Sequence, residues 1–160
     1  MYLFPPLYNV SHGGCGAVAS YNALLTLGDG RSFDEVLSYY NGKMLFTPGN
    51  GLIGLLPFHV ADYFRELGYS VVVTDDIDFI DILSSDADAS IMFYMFPREY
   101  TVSFVSIDAF GAHFVEYHKK GNGYLGMNTN GNNGRSEFNS PSVFGYNASR
   151  FYAVGIFIYK

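Results

Sequence analysis

A single cysteine, Cys15, stands in a chain of 160 residues, so no internal disulfide can form and stability must come from a packed core. Such poverty in cysteine suits a reducing compartment. Basic residues are also scarce. Nine Lys and Arg face fifteen Asp and Glu, for a net charge of -6, and no basic cluster exceeds Lys119-Lys120. That excludes the concentrated positive face a nucleic acid requires. No apolar run reaches the roughly 18 residues of a membrane span. Met1 leads straight into Tyr2-Leu3-Phe4-Pro5-Pro6, without the positive start and apolar stretch of a signal peptide, and a cytoplasmic location is the expectation.

Apolar material, by contrast, is plentiful. Hydrophobic residues make up 49% and charged residues 15%, with 14 Tyr and 15 Phe, the composition of a chain that folds around a core. The length fits a single domain over residues 1–160. After the loop Ser11-His12-Gly13-Gly14, Cys15 to Leu27 reads as a helix closed by Gly28. Ser32-Phe33-Asp34-Glu35 predicts a capping box opening a second helix to about Tyr40, ending at Asn41-Gly42. Helical spacing of apolar residues predicts a third helix from Gly54 to Leu67, stopped by Gly68. Tyr69 to Thr74 reads as a short strand and Ile77 to Leu83 as a short helix. The apolar run Ala89 to Phe96 fits a strand buried on both faces. Further on, Ala112 to His118 and Tyr124 to Asn128 flank the turn signal Gly121-Asn122-Gly123, and Phe151 to Tyr159 forms a last strand. The stretch Asn128 to Asn147, rich in Asn, Gly and Ser, reads as loop. Helices in about 1–88 followed by an antiparallel sheet in about 89–160 predict an α+β domain.

Cys15 falls at a helix start. There, unpaired amides and the helix dipole favour the thiolate, and Gly13, Gly14 and Gly16 leave the backbone beside the sulfur unobstructed. A substrate carbonyl could approach, with the Cys15 amide donating to a developing oxyanion.

Asn9 followed six positions later by Cys15-Gly16, then Ala19 and Asn22-Ala23-Leu24, resembles the signature of papain-like cysteine peptidases. The resemblance is greatest to the bacterial branch that trims double-glycine leader peptides from bacteriocin precursors. It implies a papain-like fold in which an N-terminal helical half packs on a C-terminal antiparallel sheet. It further implies a Cys-His-Asn triad in the order Cys15, His113, Asn128, with position 9 completing the oxyanion hole. Here this chain departs from the family, since Asn9 replaces a glutamine and is shorter by one methylene.

The hairpin discriminates among the four histidines, His12, His59, His113 and His118. His113 and His118 lie five residues apart on one strand and so point to opposite faces. With a two-residue turn at Gly121-Asn122, His113 pairs with Asn130 and Val115 with Asn128. With the turn at Asn122-Gly123, Val115 meets Asn130 and Tyr117 meets Asn128. Either register puts Asn128 and Asn130 on the face of His113, whereas a three-residue loop would reverse this, and a side-chain amide oxygen from one of them would orient the imidazole. Asn128 ranks first and Asn130 second. His12 is expected to bond locally, and His59 to have a structural role.

Two other signals are set aside. Gly49-Asn50-Gly51-Leu52-Ile53-Gly54 matches the dinucleotide fingerprint, with Asp75-Asp76 downstream, but the strand before it is only about three residues and Pro48 interrupts its approach. The carboxylates Asp75, Asp76, Asp78, Asp81, Asp86 and Asp88 fit no calcium loop and read as a solvated acidic edge. Neither a metal nor a cofactor is expected. The sequence thus predicts a thiol-dependent hydrolase of peptide or small amide substrates. A peptide-binding module without activity and an acyltransferase on the same scaffold are the alternatives.

Overall fold

The structure, a computed structural model, describes residues 14–41, 43, 55–102, 105–129, 134–145, 150 and 152–160, with side chains omitted for 98–102 and 105–110. Asn9, His12, Asn130 and the glycine run 49–54 lie outside the described residues.

Helix α1 spans Cys15–Leu27, and Gly28, at φ 73°, closes it in the left-handed conformation that glycine adopts without cost. Helix α2, Phe33–Tyr40, opens on the predicted capping box. The Ser32 hydroxyl accepts from the Glu35 amide, and the Glu35 carboxylate accepts from the Ser32 amide. Helix α3, Pro57–Glu66, starts on a proline, whose missing N–H is no loss in a first turn. Strand β1 is Ser70–Thr74. Helix α4, Ile77–Asp86, runs three residues past the predicted end. Asp76 caps it, accepting from the Asp78 amide at 3.0 Å, which is what one member of the acidic edge does.

Strands β2 (Ala89–Val102), β3 (Val105–Lys120), β4 (Gly123–Met127), β5 (Arg135–Phe138) and β6 (Tyr152–Tyr159) follow, with the short helix α5, Pro141–Gly145, before β6. The six strands form one antiparallel sheet in the order β1-β6-β2-β3-β4-β5. The protein is thus α+β. β1 comes from the otherwise helical first half and pairs with the last strand, so the two halves of the chain share one sheet.

Both faces of the sheet are covered. Ile91, Phe93, Phe114, Val154, Ile156 and Ile158 pack against α1, α2 and α3. The alternate residues Met92, Tyr94, Val115, Tyr117, Ala153 and Phe157 face Ile80 and Leu83 of α4 and Phe144 of α5. Double coverage explains why β2 and β6 are apolar at successive positions rather than alternate ones. Beyond Met95 and Gly111, β2 and β3 pair only with each other among the described residues, as a two-stranded ribbon past the edge of the sheet. Among the described residues no helix is long and apolar enough to cross a membrane.

Candidate active site

The hairpin between β3 and β4 turns at Gly121-Asn122, with Lys120 opposite Gly123 and Glu116 opposite Met127, the first of the two expected registers. Pairing stops there. Phe114, two residues further back on β3, has no partner strand on that side among the described residues, and other groups take up its backbone. Its carbonyl accepts from Asn128 Nδ2 at 3.0 Å, and its amide is close enough to the sulfur of Cys15 to favour the thiolate. The start of α1 therefore docks on the stretch of β3 that a longer β4 would have covered.

Cys15 is partly exposed as a residue, but its sulfur is closely surrounded. Burial raises the thiol's pKa, and this outweighs the amides of Phe114, Gly16 and Cys15 itself, which favour the thiolate. The depression expected of a helix start is thus reversed by desolvation. No side chain caps α1 at Gly14. Gly16 serves packing more than access, since a Cβ there would lie 2.8 Å from Cδ1 of Leu55, a residue 2% exposed.

His113 Nε2 lies 2.6 Å from the backbone oxygen of Asn128. A carbonyl only accepts, so Nε2 carries the hydrogen in the neutral ring and Nδ1 is the basic nitrogen. Asn128 was expected to hold this ring through its side-chain amide. The contact instead forms through the main chain, because Asn128 sits at φ 66°, just past the end of β4, and turns its own carbonyl toward His113. Asparagine tolerates that left-handed backbone better than most residues. Its side-chain nitrogen faces the other way, to Phe114 O and, at 3.5 Å, to Cys15 O. Asn128 thus links Cys15, strand β3 and His113. Burial, with the charge of Arg150, lowers the pKa of His113.

Three participants escaped sequence reading. Tyr94, 2% exposed, lies opposite His113 in the β2–β3 pairing, with ring centroids 5.7 Å apart. The Arg150 guanidinium carbon lies 4.0 Å above the Tyr94 ring and 4.3 Å from that of Phe144, and Arg150 Nη1 donates to the Phe144 carbonyl. Burial raises the Tyr94 phenol, as does the nearby Cys15, while Arg150 pulls it down. The β2–β3 register could have identified Tyr94. Nothing in the sequence around Arg150 marks it.

The other described histidines sit elsewhere. His59 Nδ1 lies 3.4 Å from the Leu56 amide at the start of α3, the structural role expected. His118 contacts Glu116 at 3.0 Å and Thr26 at 3.3 Å, near the far end of α1 from Cys15. Among the described residues no three His, Cys, Asp or Glu side chains gather as metal ligands would. No family profile and no curated protein sequence matches this chain.

Proposed function

We propose that the chain is a thiol-dependent hydrolase of peptide or small amide bonds on a papain-like scaffold, with Cys15 as nucleophile, His113 as base and Asn128 as the positioning residue. The observation that carries this reading is Asn128 itself, bonded at once to the His113 ring and to the carbonyls of Phe114 and Cys15. With the thiol's pKa raised and the imidazole's lowered, the resting pair is neutral, so the proton moves during attack rather than before it.

His113 Nδ1 takes the Cys15 proton as sulfur bonds to the carbonyl carbon, and the Cys15 amide stabilises the oxyanion, with Asn9 assigned as second donor by the family resemblance alone. His113 returns the proton to the leaving nitrogen, the C–N bond breaks, and a thioester remains. Water, deprotonated by His113, then releases the acid and restores the thiol. Cys15→Ser and His113→Ala should each abolish turnover of a peptide library digest read by mass spectrometry, and unchanged turnover in either variant refutes the reading.

The raised thiol pKa also favours a second reading, a peptide-binding module that does not cleave. Peptide binding retained by wild type with no Cys15-dependent product would select it. An acyltransferase would differ from a hydrolase only in the acceptor, and product analysis with competing amines separates the two.

A further inference from the structure

Arg150 is half-buried near His113, in the corner between the perpendicular rings of Tyr94 and Phe144, and its guanidinium also bonds the Tyr94 hydroxyl. Nη1 donates to the Phe144 carbonyl, which anchors the group to α5. Among the described residues no carboxylate pairs with it, although the other arginines with ion pairs, Arg31 and Arg65, each have an aspartate. A guanidinium is planar, so the N–H groups left to it lie in one plane and can receive a carboxylate with two parallel hydrogen bonds. Contact with two rings and the Phe144 carbonyl also restricts the rotamer freedom that binding would otherwise have to freeze.

The position indicates which part of a substrate it would meet. Tyr94 lies opposite His113 on β2 and opposite Ala153 on β6, so Tyr94 and Arg150 stand on the histidine's side of the sheet, across from the body of α1 but near its first residue, Cys15. His113 delivers the proton to the leaving amine, so the leaving portion lies over that side. We infer that Arg150, held against Tyr94 and Phe144, binds a carboxylate on the leaving portion of the substrate, making the preferred substrate a peptide or amide whose amine-side fragment is acidic or ends in a free carboxylate. This rests on the hydrolase reading for its substrate, but not for its test.

The test uses alkylation of Cys15, which needs no turnover. Cys15 sulfur displaces iodide from an iodoacetyl carbon, so a C–S bond forms as the C–I bond breaks. The probes are iodoacetate and iodoacetyl-glycine, each compared with its neutral carboxamide, with rates read by intact-mass spectrometry at pH 7. In wild type the carboxylate probe of at least one pair should react faster and saturably, and Arg150→Gln should lower the carboxylate-to-amide rate ratio about tenfold or more. Arg150→Lys should retain part of the preference. Iodoacetyl-aspartate diamide, with a side-chain carboxylate only, separates an acidic residue from a chain terminus as the source.

A ratio unchanged within twofold in Arg150→Gln overturns the inference, including where that variant melts at a lower temperature, because Arg150 then merely fastens α5 to the sheet. If the ratio falls while no peptide is cleaved, the carboxylate site stands and the hydrolase reading fails. If peptides are cleaved with no Arg150-dependent preference, the reverse holds.

Discussion

His113 and Asn128 meet through a main-chain carbonyl at 2.6 Å, so the acceptor that orients the imidazole would survive any change to the Asn128 side chain that keeps the backbone in place. What the side chain contributes is tolerance of φ 66° and a donor to the Phe114 and Cys15 carbonyls. The two contributions separate by substitution. Asn128→Gly keeps the backbone and loses the donor. Asn128→Ala loses the donor and adds left-handed strain, making it less stable than Asn128→Gly by about 1 kcal/mol in chemical denaturation. Asn128→Gly should retain more turnover than His113→Ala. Were the two equally inactive, the main-chain contact would not be what positions His113.

The pH profile follows from a neutral resting pair. The His113 pKa is lowered from its ordinary 6.5, so the base stays unprotonated at mildly acidic pH and the acid limb of turnover should lie below pH 6.5. The thiol's pKa is raised, so iodoacetamide alkylation of the free protein should keep accelerating with pH beyond the ordinary cysteine range. His113→Ala should leave that alkylation profile nearly unmoved while lowering turnover by about 10²-fold or more. An alkylation midpoint near neutrality that depends on His113 would instead mean a preformed ion pair.

Local signals carried much of this architecture. The box at Ser32 and Glu35, the glycine stop at Gly28 and the Gly121-Asn122 turn each act within a few residues, so sequence displays them. The ribbon half of β2 did not show because Arg98-Glu99-Tyr100-Thr101 lies past the last three-strand pairing at Met95, where neighbouring strands impose no apolar pattern. Strand β5 and helix α5 vanished into an Asn/Gly-rich stretch because four and five residues are too few to display a period. At the candidate site, the hairpin brought His113 near Asn128, but the atoms that meet were not legible. Which group of Asn128 reaches His113 depends on one backbone angle, and the thiol's pKa depends on packing from β3, which is 98 residues away at His113.

Gly16 and Leu55 test how tightly the first turn of α1, which carries Cys15, is packed. A methyl group at position 16 would press on Leu55 at 2.8 Å, so Gly16→Ala should destabilise by about 1–3 kcal/mol despite alanine's better helix propensity. Leu55→Ala opens a cavity and should cost about 2–5 kcal/mol alone. The two variants together should cost less than their sum, because the new methyl partly fills the space vacated. Additive losses in a denaturant double-mutant cycle would show that the contact is not shared.

Glu116 and His118 make stability depend on pH at the opposite end of α1. Glu116 is fully buried, and its Oε1 accepts from Thr26 and contacts His118 Nδ1, while Oε2 has no partner among the described residues. The bond to Glu116 raises the His118 pKa above its ordinary 6.5. A histidine whose pKa is higher folded than unfolded binds its proton more tightly in the folded chain. Its contribution is therefore complete below about pH 6.5 and declines as pH rises through the folded value. Melting temperature should thus fall between pH 6 and pH 8 more in wild type than in His118→Gln, which cannot take up that proton. Equal slopes in the two proteins would mean that the Glu116–His118 contact is not a charged pair, and that Glu116 is held by Thr26 alone.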